Sequence, residues 1–296
     1  MFVTLENSTL RAEVDSFGAE LVSVFHKETG RECLWQADPQ VWPRHAPVLF
    51  PYCGRLKDDR YFIDGKEYFG KQHGFARDMP HKLVCRDHDI VVLRLEHSSE
   101  TLEKYPYQFA LKTTYQLQKN TILCKHKVIS YSSVPMYFSI GFHTGLACPF
   151  VTGTQPEEYR VVFEQKETMT RLFARPGGLF ENKAEAVCFE HGSIPVTKGG
   201  FSDSLVLKDI KSSYIQLEEK ASGDYIRIRG TDSPYTVIWS APEDDTKLLC
   251  IEPWYGIGDS VDAHGDLTKK QGIICLGPKE EFTCAQIIEI GMGKNK

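Results

Sequence analysis

Apolar and polar residues alternate along most of this chain. In LKTTYQLQ (Leu111 to Gln118), Leu111, Thr113, Tyr115 and Leu117 fall on one side, and Lys112, Thr114, Gln116 and Gln118 on the other. That period of two is the signature of a half-buried strand. YIQLEE (Tyr214 to Glu219) and YIRIR (Tyr225 to Arg229) repeat it. YFIDGKEYF (Tyr61 to Phe69) centres on Asp64-Gly65, a pair that readily takes the positive φ angles of a type I′ turn, so a β-hairpin is predicted there. A second reversal is predicted in HKETGREC, where Gly30 separates ELVSVF from CLWQ.

Helical signals are scarce. SSETLEKY (Ser98 to Tyr105) offers Ser98 or Ser99 as an N-cap, and Pro106 stops it after a turn or two. Strand-like runs recur from end to end, with no linker rich in Pro, Gly or Ser and no charge block. The pattern predicts an all-β chain, one large antiparallel domain over residues 1–296, a sandwich or a wide barrel, with residues 291–296 as a frayed tail.

Charge narrows the partners. The 296 residues carry a formal net charge of -5 and a pI near 6.1, so the field that would draw the chain onto a nucleic acid or an anionic membrane is missing. Apolar runs such as IVVL and YTVIW are far shorter than the roughly 20 residues that span a bilayer. The start, MFVTLENSTLRAEVDS, lacks a cationic segment followed by an apolar one. The expectation is a cytoplasmic protein, a monomer or homodimer, that handles a small molecule. Nine scattered cysteines without a C-x-x-C pair argue against a disulfide framework and a structural zinc site. Contexts such as TILCKH, LLCIE and GIICLG predict buried thiols that pack as small hydrophobes.

Four places interrupt the alternation with ionisable residues beside Gly, Pro or aromatics. In APVLFPYCGRLKDDRY, Arg55 is a solvated strand-end arginine, or a planar fork of donors aimed at a ligand that Gly54 lets approach the backbone. In GKQHGFARD, His73 abuts Gly74. In MYFSIGFHTGLACP, His143 ends an apolar run; it is a satisfied core histidine or a proton donor, since its ordinary pKa suits proton transfer near neutrality. In LLCIEPWYGIGDS, Glu252 stands inside an apolar stretch. A buried carboxylate needs a cationic partner or a task. Paired with a histidine it could supply both halves of acid–base catalysis, and Trp254 and Tyr255 beside it suit the C–H faces of a sugar.

Taken together, LWQADPQVWPRHAPVLFPYCGRLKDDRYFIDGKEY, KQHGFARD, YPYQF, SIGFHTGLACP and CIEPWYGIGD resemble, in order and spacing, the aldose 1-epimerase (galactose mutarotase-like) superfamily, and in particular its bacterial galactose mutarotase-related, lactose-operon-associated branch. The resemblance covers Met1 to about Met292. It implies a large antiparallel β-supersandwich with a sugar cleft on one sheet, and interconversion of α and β anomers without a metal or organic cofactor. It further implies Glu252 as general base at the C1 hydroxyl and His143 as general acid at the ring oxygen. His73 and Arg55 would bind sugar hydroxyls or the ring oxygen, Asp203 would bind hydroxyls, and Trp254 would form a pocket wall.

The chain departs from the branch where Phe142-His143-Thr144-Gly145 replaces the usual Gly-His-Pro-Ala, a change expected to reshape the pocket. An aldose 1-epimerase acting on a hexose is therefore expected. Two alternatives stand beside it: a hexose-6-phosphate 1-epimerase using basic residues among Arg44, Arg55, Lys57, Arg60 and Arg77, and a non-catalytic sugar-binding or sensing protein on the same fold.

Overall fold

The computed structural model describes residues 1–230, 232–241 and 247–293. Two antiparallel sheets dominate. The larger has nine strands, in the order Ser193–Pro195, Tyr159–Phe163, Ile215–Glu219, Tyr225–Gly230, Glu281–Gly291, Thr121–Ser130, Phe109–Gln118, Ile90–Glu96 and Lys82–Arg86. The other has eight, with Tyr235–Trp239 beside Leu248–Tyr255, which pairs in turn with Ile140–Phe142 and Thr144–Ala147. An N-terminal four-stranded sheet adds Phe2–Glu6, Leu10–Asp15, Glu20–His26 and Arg31–Glu32.

The predicted alternation sets the register. Leu111, Thr113, Tyr115 and Leu117 are all buried, and they face a core that runs from Val3 to Ile290. Contacts cross between the two sheets: His126 stacks on Phe142 with centroids 4.4 Å apart, Tyr255 meets Phe282 edge-on, and Gln286 Nε2 donates to Thr144 Oγ1 at 2.7 Å. The hairpin turns at Asp64 (φ 49°) and Gly65 (φ 76°), as the Asp-Gly pair predicts. Gly30 (φ 67°) makes the other reversal, into a strand of only two residues. Ser98 caps the helix Ser99–Lys104 by a reciprocal capping box with Thr101. No helix of the described residues is long and apolar enough to cross a membrane.

Three expectations change. Cys275, in GIICLG, is exposed, as are Cys85 and Cys188, while the other six cysteines are buried. Among the described residues its strand Ile274–Leu276 pairs with Met136–Phe138 alone, in a two-stranded ribbon. The strand expected over Tyr214 to Glu219 begins at Ile215 and buries Gln216, whose amide oxygen accepts from Arg227 Nε at 2.8 Å. At the C-terminus, Gly291 is still paired with Tyr225, and the Gly293 amide donates to Asp224; residues 294–296 of the expected tail lie outside the described residues.

Candidate active site

Strand Leu248–Tyr255 is buried at all eight positions, which hides its alternation in the sequence. Leu249, Ile251 and Tyr255 point into the inter-sheet core, whereas Leu248, Cys250, Glu252 and Trp254 point to the opposite face. Glu252 thus belongs to the outer face of a period-two strand, and that face is itself covered. The covering is aromatic. Trp42, Trp239 and Trp254 gather around His143, and with Pro43, Arg44, Gln72, His73, Arg77, Ser204, Val237 and Glu252 they line a cavity of about 400 Å³. That volume falls within the range of small-ligand clefts.

His143 stands in the break between Ile140–Phe142 and Thr144–Ala147, directly across from Glu252. Its Nε2 is 3.4 Å from Glu252 Oε2, which also accepts a 3.1 Å bond from Trp254 Nε1. The two residues are 8% and 1% exposed. Burial pushes the Glu252 carboxyl well above its usual range, opposed by the Trp254 bond. Burial, with the positive field of Arg77 and Arg44, lowers His143 to about 3. Both shifts disfavour the charged forms, so burial favours a protonated Glu252 beside a neutral His143 over the ion pair of the two.

The glycines flanking His143 explain how the indoles close over it. A Cβ on Gly141 would meet Trp254 Cδ1 at 3.0 Å, and one on Gly145 would meet Trp42 Cζ3 at 2.9 Å and the His45 carbonyl at 2.8 Å. Trp42 stacks on His143 at 4.8 Å between centroids, and His73 and Trp239 meet the imidazole edge-on. The Trp42 loop is fastened by Trp35 Nε1 donating to the Trp42 carbonyl, and by Glu20 Oε1 accepting from the amides of His45 and Ala46. His73, buried and held well below its usual pKa by desolvation, accepts at Nδ1 from the Gly54 amide at 3.1 Å. That bond leaves the ring proton on Nε2, 3.2 Å from the Gln72 side-chain amide, whose oxygen must be the atom turned toward it to accept.

Of the residues expected from sequence, Glu252, His143, His73 and Trp254 meet in this cavity. Arg55 and Asp203 do not line it. The Arg55 guanidinium is held by Asp59 at 3.3 Å and by the Gly177 carbonyl. Gly54 serves a close approach of a different kind: a Cβ there would lie 2.6 Å from Gly258 Cα, so it admits backbone rather than ligand. Asp203 is exposed in the turn before Leu205–Lys208, and its neighbour Ser204 (φ 56°) lines the cavity instead. Of the Phe142–Gly145 departure, Phe142 points into the core against His126 and Thr144 turns to Gln286, while Gly145 leaves room for Trp42 over the cavity.

Sequence reasoning missed Trp42, Trp239, Gln72 and the two cavity arginines as a set. Of the five basic residues considered, only Arg44 and Arg77 reach the cavity, with Asp78 2.7 Å from Arg44 and 4.0 Å from Arg77. Lys57 and Arg60 turn elsewhere, to the Ala263 carbonyl and to Glu67. A short spaced metal cluster was not expected either, yet the donor atoms of His143, Cys250 and Glu252 all lie within 4.8 Å of one another. A roomier cleft of about 480 Å³, lined by Tyr214, Arg229, Pro253 and Ile287 among others, contains no buried acid–base pair.

An antiparallel β-sandwich with a buried histidine–carboxylate pair beneath an aromatic canopy defines a class of proteins with a small-molecule-sized cleft on one sheet. The sequence profile of the aldose 1-epimerase family matches residues 1–270, and the chain belongs to that family of sugar epimerases. It is 29% identical over 287 residues to the protein LacX of Lactococcus lactis subsp. lactis, covering 94% of this chain and 95% of that protein. A galactose mutarotase related enzyme from Lactobacillus acidophilus superposes with a TM-score of 0.94 at 30% identity, over 100% of this chain and 99% of the other. A galactose mutarotase-like protein from Lactobacillus casei gives 0.89 at 27%, over 98% and 100%. These likenesses place the chain in the galactose mutarotase-related branch that its motifs resemble.

Proposed function

We propose that the protein is a mutarotase that interconverts the anomers of a hexose or hexose derivative by acid–base ring opening. The observation that carries this reading is the His143–Glu252 pair, buried 3.4 Å apart at the floor of a cavity walled by Trp42, Trp239 and Trp254. The reaction needs one proton shared between the two groups, in the tautomer that burial disfavours, with the proton on His143. As carboxylate and imidazolium, Glu252 takes the proton from the C1 hydroxyl while His143 gives one to the ring oxygen. The bond from C1 to the ring oxygen breaks, and an open-chain aldehyde results. Rotation about C1–C2 presents the other carbonyl face, and the two groups reverse their roles to close the ring. No proton is gained or lost over the cycle. His73 Nε2–H and Gln72 offer hydrogen bonds to hydroxyls, and the indoles pack on sugar C–H faces.

A second reading has its own observation. Arg44 and Arg77 both line the cavity, and Arg77 Nε is buried without a hydrogen-bond partner. Two guanidinium groups, with Asp78 beside both and the Glu20 carboxyl within their field, suit a sugar bearing an anionic group such as a phosphate.

Saturation-transfer NMR of anomer exchange on free and phosphorylated hexoses tests both readings. Wild type should accelerate exchange, and Glu252→Gln and His143→Ala should each lose about 10²–10⁴-fold. Rates equal to wild type in either folded variant would sink the assignment. Acceleration confined to the phosphorylated sugars would select the second reading. Saturable binding without acceleration on any sugar would mark a binding protein instead.

A further inference from the structure

Cys250 has no part in the acid–base scheme, yet it sits two residues before Glu252 on the same face of Leu248–Tyr255, paired across the sheet with Gly145 and Trp239. Strand alternation aims its Sγ to the same side as the Glu252 carboxylate. His143, from the neighbouring strand break, completes the set. The three ligand atoms, one N, one S and one O, lie within 4.8 Å of one another, and all three residues are buried. We propose that His143, Cys250 and Glu252 form a binding site for a thiophilic divalent cation of the zinc type, and that its occupation switches the enzyme off. The effect on turnover rests on the mutarotase reading above; the binding does not.

The donor set suits such an ion. Zinc takes imidazole, thiolate and carboxylate together in tetrahedral sites, and its catalytic sites typically use three protein ligands with a fourth position left open. Here His143 and Glu252 line the cavity while Cys250 does not, so the open position would face the cavity and the thiol would close the site from behind. Charge also balances. A divalent ion with one thiolate, one carboxylate and a neutral imidazole is uncharged overall, which an apolar surround of Trp35, Ala241 and Leu248 tolerates. Ligation costs the Cys250 thiol its proton and also displaces the proton held between His143 and Glu252, and both are released to solvent. The field of Arg44 and Arg77 opposes the cation, which favours a soft, thiolate-seeking ion over magnesium or calcium. Both members of the acid–base pair would then be ligands, unable to exchange protons with a sugar.

The test uses the purified full-length chain titrated with cadmium alone and with zinc alone. Cadmium reports thiolate ligation by its near-ultraviolet charge-transfer absorption, and calorimetry reports zinc affinity. For wild type, about one equivalent of either metal should bind with a thiolate signal and suppress anomer exchange, and a chelator should restore it. Cys250→Ala should keep basal exchange but lose the thiolate signal of that equivalent, with zinc affinity and inhibition weakened at least about tenfold; loss of a supporting contact alone weakens a metal site by 10- to 100-fold. Cys250→Ser, nearly isosteric, guards against a packing defect in the alanine variant. Unchanged zinc affinity or unchanged inhibition in both variants would overturn the proposal and move the metal to another thiol, such as the exposed Cys85, Cys188 or Cys275. If wild type accelerates no anomer exchange, the absorbance and calorimetric comparisons still decide the site.

Discussion

Trp42 lies face to face with His143, ring centroids 4.8 Å apart and planes 24° from parallel. The indole is one of the groups that removes water from the imidazole, and desolvation is the leading cause of its lowered pKa. Trp42→Ala should therefore move the acid limb of the pH–rate profile upward, toward the ordinary histidine value of about 6.5. It should also lower kcat/KM by about 2- to 10-fold, the scale of a lost aromatic contact. Rate profiles of the two proteins between pH 3 and 8 check this. An acid limb that stays in place would show that Trp42 does not set the imidazole's environment.

Trp254 Nε1 donates to the oxygen of Glu252 that faces His143, and this bond is what opposes the rise in the carboxyl's pKa. Trp254→Phe keeps an aromatic wall and removes the donor. The Glu252 carboxyl should then climb further, and the alkaline limb of kcat should move to higher pH, because the pair keeps its proton longer. A hydrogen bond to a charged group contributes about 1.5–3 kcal/mol, so kcat at pH 7 should fall about tenfold or more while KM changes little. If KM alone rises, the indole is a wall and nothing else.

Stability should depend on five buried histidines. Burial holds His73 well below its usual value, His81 at about 4, and His126 and His143 at about 3, and it also lowers the pKa of the fifth, His26. Each contributes stability that is complete above the unfolded-state value of about 6.5 and is lost as pH falls, because the unfolded chain takes up protons that the native sites refuse. Each unit of pH in that window costs up to about 1.4 kcal/mol per histidine. Glu20 and Glu252, both raised by burial, are protonated in the native state before the unfolded chain's carboxyls are, and they oppose the trend until the latter protonate near 4.5. His126 isolates one contribution, since it packs on Phe142 in the core, away from the cavity. Denaturant unfolding of His126→Asn at several pH values from 6.5 to 4 should give a shallower pH slope than wild type, whatever its absolute stability. Equal slopes would show that His126 is protonated in the native state.

The strands were legible because half-buried strands write their period directly, as Leu111 to Gln118 does. Leu248–Tyr255 concealed its period, since the outer face of that strand is roofed by the tryptophans and every position reads as apolar or buried. Glu252 was found because a lone acid there is conspicuous. Arg77 was harder to assign than Arg55, although it stands four residues after His73, because nothing local tells which arginine turns inward. That choice is made by Asp59, four residues beyond Arg55, which takes the guanidinium first. Asp203 and Ser204 differ by a single step of a turn, below what spacing resolves. Trp42 and Trp239 come together through sheet order, a non-local property that no window of sequence contains.

Gly145 ties the fold to the site and gives the sharpest test of the canopy. The missing Cβ leaves room for Trp42 Cζ3 and for the His45 carbonyl, at 2.9 and 2.8 Å from where it would stand. The His45 amide is already tied to Glu20, so the backbone has little freedom to retreat and the indole must move. Gly145→Ala should thus cost about 1–3 kcal/mol of stability, the range for overpacking a filled interior. It should also shift the acid limb of the rate profile upward, as Trp42→Ala does, by lifting the ring from His143. The two changes act through one contact, so the double variant should shift the limb no further than Trp42→Ala alone, and part of the stability loss should be relieved once the indole is gone. Fully additive shifts in the limb would show that Gly145 acts on His143 by a route that does not involve Trp42.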